Sequence, residues 1–267
     1  MKTNHKISIM QLVLIVLCGL VLAGHRFLAD PSGTELFWVA LAGSLVVALS
    51  AIGVENLRQK LRLKPTVMDK AGFALLAGAG FLFLLSAGFT LLQHELGTTL
   101  KLVTALFAAA SGVLTLMRLP LRDSGETASV YALVPIFFLS FYLLIFYRSN
   151  GDNPNLFRFG YEIAVILVVL LGIYAAVAGR FEVARPRFRT ICCGLGLLMI
   201  VQELCYLLLT PVQVLSIPGF SPATAAMLAA FFLLLCVGLC YPPVREVFPI
   251  LEDEVEDDEE EFEDDEE

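Results

Sequence analysis

Eight stretches of about twenty apolar residues, separated by short charged connections, decide the solvent in which this chain folds. They cover residues 7–23, 36–54, 71–92, 102–117, 128–147, 159–178, 190–209 and 223–241. A hydrocarbon layer ~30 Å thick is crossed by about twenty helical residues. A soluble chain would instead alternate apolar and polar residues at helical or strand period, with charges spread along each element. Here the charges fall between the runs. A β-barrel is excluded because its strands alternate every second residue over about ten positions, and 128–147 shows no such alternation. The expected fold is therefore all-α: a polytopic helical transmembrane bundle of eight spans occupying residues 1–250. Composition agrees, with 58% hydrophobic and 16% charged residues against about 45–50% and about 25% in ordinary soluble domains. The spans and their connections use nearly all of that length, so no separate soluble domain is expected.

The first run follows a charged start at Lys2 and Lys6 and resembles a secretory signal. Its seventeen apolar residues exceed the roughly seven to fifteen of a signal core. A retained first helix is the expectation.

Basic residues orient the spans. With eight crossings, one set of ends holds Lys2, Lys6, Arg58, Lys60, Arg62, Lys64, Lys70, Arg118, Arg122, Arg180, Arg185, Arg187, Arg189 and Arg245. The opposite set holds Arg26, Lys101, Arg148 and Arg158. Fourteen against four puts both termini in the cytoplasm by the positive-inside rule. A plasma (cytoplasmic) membrane is the expected location.

The net charge of −8 conceals two regions of opposite sign. Residues 251–267 carry fourteen of the twenty-six acidic residues and no basic one, so the remainder has eighteen basic and twelve acidic residues, a net of +6. A block of like charge with little apolar surface stays disordered. The acidic tail is expected to be a solvated cytoplasmic string, either a plain solubilising end or a docking segment for a cytoplasmic protein partner. The basic loops at 58–64 and 180–189 would share in such docking.

Chemistry in a lipid-embedded chain is sought among ionisable groups inside the spans, since each costs about 2.5–3.5 kcal/mol to insert. Glu203, beside Gln202, lies six residues from the end of its run, ~9 Å deep at the helical rise. Glu162 lies three residues inside its own run. Both belong to the same half of the bilayer, the outer one in the orientation above. His25, Arg26, Glu35, His94, Glu95, Lys101, Arg148 and Arg158 gather near that level. Glu203, Gln202 and Glu162 are therefore the candidate substrate-binding residues of a vestibule for a small polar or cationic solute. The competing reading makes Glu203 a structural lock, paired with Arg148, Arg158 or a backbone group.

Other motifs are sparse. Cys18, Cys192, Cys193, Cys205, Cys236 and Cys240 all fall within spans, lack metal-ligand spacing, and read as small polarizable packing residues. Small residues at four-residue spacing mark expected contact faces: Ala40, Ser44 and Ala48; Ala74 and Gly78; Thr104, Ala108 and Gly112; Gly172 and Ala176; Ala225 and Ala229. Pro135 should kink the fifth span about a third of the way along it. The sequence lacks a Gly-x-x-x-x-Gly-Lys-Ser/Thr phosphate loop, a His-Glu-x-x-His pair and a Gly-x-Ser-x-Gly turn. No metal or cofactor is expected, and an enzyme is the less favoured class. The basic clusters need no nucleic acid, because anionic headgroups suffice as partners. Two expectations remain: a small-solute permease, or a non-catalytic membrane scaffold or accessory subunit docking a cytoplasmic protein.

Overall fold

The computed structural model describes residues 2–28, 33–60, 70–92, 98–118, 130–150, 156–178, 186–209 and 222–239. The acidic tail, the loops at 61–69 and 179–185, His94, Glu95 and Cys240 lie outside the described residues. Among the described residues there are eight helices and no strand. They are α1 (Lys2–Leu28), α2 (Gly33–Lys60), α3 (Lys70–Leu92), α4 (Thr98–Met117), α5 (Val134–Asn150), α6 (Leu156–Ala178), α7 (Pro186–Leu209) and α8 (Pro222–Leu239). Each corresponds to one apolar run of the sequence. Six contain segments long and apolar enough to cross a membrane: Ile7–Phe27, Glu35–Lys60, Ala71–Leu92, Thr99–Met117, Gly160–Ala178 and Pro186–Tyr206. The apolar parts of α5 and α8, Val134–Arg148 and Pro222–Cys236, are shorter.

The fifth run departs from expectation at its start. Helical geometry is interrupted at Ala132 and Leu133 and resumes at Val134. The Leu133 N–H donates to the Val130 carbonyl at 3.0 Å, and the N–H groups of Ile136 and Phe137 both reach the Leu133 carbonyl, at 3.0 and 3.3 Å. Pro135 thus sits in the first turn of α5, where its missing donor leaves no intrahelical bond unmade. It opens a helix where a bend within one was expected.

α7 is the centre of the bundle. It packs on α1, α2, α6 and α8, and 67% of its apolar segment is buried, against 17% for that of α2. The reason is legible in its side: Gly194 and Gly196 admit neighbours, with Val47 of α2 and Leu234 of α8 close enough to meet an added Cβ at 3.1 and 2.8 Å. A Cβ at Gly19 would lie 2.7 Å from Val201, which records how closely α1 lies on α7. At Gly172 the new atom would meet the Cys192 carbonyl oxygen at 3.0 Å, so α6 and α7 approach almost backbone to backbone. Without water to drive helices together in lipid, such close approach supplies the association energy.

α3, α4 and α8 form a second packed group. Gly80 and Gly112 face each other across α3 and α4: a Cβ on Gly112 would sit 2.8 Å from the Gly80 carbonyl oxygen, and one on Gly80 3.1 Å from that of Gly112. The Ser86 hydroxyl donates to the Pro222 carbonyl at 2.9 Å, and the Cys236 thiol to the Gly72 carbonyl at 3.6 Å, so α3 and α8 run antiparallel. Thr104, Ala108, Gly112, Gly172, Ala176, Ala225 and Ala229 are buried, as small-residue spacing implies. α3 differs. Ala74 is exposed, and its buried face runs instead through Gly72, Leu76, Ala79 and Phe83. On α2 only Ala40 of the expected set is fully buried, joined by Val47, Ala51 and Val54. Ser44 and Ala48 sit at the margin because α2 touches the bundle along a narrow stripe. Its other side exposes Phe37, Trp38, Leu41, Leu45 and Leu49, an apolar surface suited to lipid and too large for water.

Candidate functional site

Apart from Arg118, the buried charged groups among the described residues collect at two ends of the α1–α7 pair. α1 and α7 run parallel, since Arg26 near the end of α1 meets Glu203 near the end of α7, while Ser8 and Thr190 near their starts bond to Arg58 and Glu55, one turn apart on α2.

Arg26 occupies the last turn of α1, where the partial negative charge of the helix end favours a cation. Its side chain points into the bundle and is 6% exposed. Nη1 donates to Glu203 Oε2 at 2.7 Å, and Nη2 reaches Glu162 Oε1 of α6 at 3.5 Å. The Glu203 side chain is 9% exposed and that of Glu162 22%, so Glu162 is the carboxylate nearer to solvent. The guanidinium carbon lies 3.7 Å from the ring centre of Tyr206 and 5.3 Å from that of Tyr161. Tyr206 follows Glu203 by three positions, which brings both to one face of α7. Tyr161 donates its hydroxyl proton to Gln202 Oε1. Gln202 is completely buried, and its Nε2 has no partner among the described residues. The Nδ1 of His25 is likewise enclosed without a partner among the described residues. Tyr142 of α5, half-buried, stands within electrostatic reach of both carboxylates.

All three residues singled out in the sequence therefore meet in one place. Their partner differs from expectation. Arg26 binds both acids, whereas Arg148 is exposed on α5 and the side chain of Arg158 lies outside the described residues. Glu35 is exposed and Lys101 half-buried. Tyr161 and Tyr206 were not selected from the sequence. Their signal was adjacency to the polar pair within otherwise aliphatic runs.

The opposite end is built differently. Arg58 of α2 donates to Ser8 Oγ of α1 at 2.7 Å and stands 3.5 Å from Glu55, one turn back on its own helix. The Thr190 hydroxyl lies 3.3 Å from Glu55 Oε2, and Arg187 donates to Gln59 at 3.3 Å. Arg189 is buried beside them. Elsewhere, Arg118 immediately follows α4 and is buried against a cavity of about 20 Å³ lined also by Ala132, Ile173 and Leu234, room for one water. Burial lowers its pKa to about 10, which leaves it charged at neutral pH.

Cys192, Cys193 and Cys236 are buried thiols, and Cys193 donates to the Gly172 carbonyl at 3.6 Å. Among the described residues no three His, Cys, Asp or Glu side chains converge as a metal set.

Comparison of the chain with family models, with curated proteins and with solved structures returns no match. The reading of the site rests on its own geometry.

Proposed function

We propose that this chain is a polytopic membrane protein of eight spans, with both termini cytoplasmic, that passes a small polar or cationic solute through a site built on Glu203, Gln202 and Glu162. The helices support the span count. α5 has seventeen residues and α8 eighteen, at the lower limit of the roughly 17–25 that cross a bilayer. The fourteen-to-four division of basic residues supports the orientation and a plasma-membrane location. The Arg26 cluster then faces the outer side, and the Ser8–Arg58 cluster the cytoplasm.

One observation carries the transport reading. An apolar bundle gathers two carboxylates, one buried and one half-buried, around one guanidinium, together with a buried amide whose Nε2 has no partner among the described residues. A plain lock needs one acid per base, and unsatisfied polar groups in hydrocarbon are expensive. Their retention favours a site completed by a solute. In proteoliposomes holding the full chain, uptake from a panel of small polar and cationic solutes should be saturable and should fall to background in Glu203→Gln. Saturable uptake that survives Glu203→Gln unchanged would remove this site from the path.

A second reading has its own observation. Arg58, Arg187 and Arg189 gather at the cytoplasmic end while residues 251–267 carry fourteen acids. A scaffold could use both to hold a cytoplasmic protein. Truncation after Pro249 should then release a co-purifying partner, and an unchanged pull-down discards that role.

A further inference from the structure

The groups around Arg26 form a cage whose chemistry exceeds what one salt bridge needs. Tyr206 and Tyr161 turn ring faces to the guanidinium, Glu203 and Glu162 supply carboxylates, and Gln202 stands behind Tyr161. Aromatic faces joined to carboxylates recognise organic cations, because ring quadrupoles and anionic oxygens both attract a delocalised positive charge. We propose that this cage is the recognition site for a small organic cation of the guanidinium type, which Arg26 occupies as a resident surrogate until solute takes its place. The proposal rests on the permease reading and narrows its cargo to one chemical class.

Each contact involves only the guanidinium head. A free guanidinium at the same position would sit 3.7 Å over Tyr206, donate to Glu203 at 2.7 Å and reach Glu162, with no need of the arginine stem. The two acids favour a cationic visitor. An anion would meet the carboxylates of Glu203 and Glu162, and a neutral solute would leave their charge unused. Glu162 offers the point of first contact. It is the more exposed acid, and its 3.5 Å contact to Arg26 is the looser of the two. A cation paired there approaches the Tyr206 face and competes for Glu203, releasing Arg26 toward the headgroup region. Gln202 completes the set: an amide can turn either end toward a visitor, and its Nε2 has no partner among the described residues.

The test compares labelled guanidinium with labelled urea, its planar neutral counterpart, in proteoliposomes of the full chain. Guanidinium uptake should be saturable and exceed urea uptake by about tenfold, the ratio set by ~1.4 kcal/mol of charge recognition. Glu162→Gln should raise the half-saturating guanidinium concentration more than it lowers the maximal rate. Purified Arg26→Ala, with its cage vacant, should gain melting temperature in millimolar guanidinium and none in equal urea. Should Arg26→Ala fail to fold, Arg26→Lys is measured the same way, because its ammonium does not fill the planar position. Urea or glycerol crossing while guanidinium does not would overturn the cation cage and leave a permease standing. No solute crossing above empty vesicles would overturn both.

Discussion

The two ends of the α1–α7 pair solve the same problem with different chemistry. At one end Arg26 is 6% exposed and bonded to an acid 9% exposed, under a tyrosine ring. At the other Arg58 is 16% exposed, donates to a neutral hydroxyl at 2.7 Å, and stands 3.5 Å from an acid on the same helix. The first end joins α1, α6 and α7 through a guanidinium shared by two carboxylates, with the neutral Tyr161–Gln202 bond beside it. The second joins α1, α2 and α7 through the hydroxyls of Ser8 and Thr190 and the amide of Gln59. Removing a member of a buried ion pair strands its partner, whereas a half-buried hydroxyl contact can be replaced by water. The deep cluster is therefore the energetic keystone, and the shallow one the more easily opened.

The largest expected effect tests that ranking directly. Arg26→Leu should cost about 3–5 kcal/mol in the unfolding free energy of purified protein, because the buried Glu203 carboxylate loses the guanidinium it is bonded to. Arg58→Leu should cost about 1 kcal/mol, as for a pair within reach of water. Adding Glu203→Met to Arg26→Leu should return much of the loss, since an apolar pair strands less charge. Equal losses at the two arginines would erase the comparison. An intermediate effect probes the seam between the ends. Gly19→Ala drives a Cβ to 2.7 Å from Val201 and should cost about 1–3 kcal/mol, as overpacking does. Val201→Ala in the same chain should recover most of it. If Gly19→Ala is silent, the helices are looser at mid-depth than at either end. The smallest effect belongs to Ser8→Ala, where the lost bond to Arg58 should lower stability by about 0.5 kcal/mol, the low end for a hydrogen bond that water can replace.

Much of this architecture could be read from the chain. The eight helices follow from the length of the apolar runs, because lipid leaves a spanning backbone few alternatives to the helix. Glu203, Gln202 and Glu162 stood out because polar groups are costly in such runs, and they do meet. The identity of their partner was less accessible. Arg26 lies 177 positions from Glu203, and just past an apolar run an arginine also suits a headgroup. What brings it inward is the close approach of α1 to α7 at Gly19, a rotation that hydrophobic period cannot report when a helix is apolar all round. The same blindness explains α3, where Gly78 does meet Phe232 of α8 but Ala74, at the same small-residue spacing, is exposed. Pro135 was recognised as a breaker, and its position relative to the turn at 132–133 decided whether it bent a helix or began one.

The facing glycines of α3 and α4 carry a mechanical corollary. With each carbonyl filling the space a methyl would need on its neighbour, neither position admits a side chain unless the two rods part. A bulkier residue at Gly80 or Gly112 would therefore act as a wedge between α3 and α4.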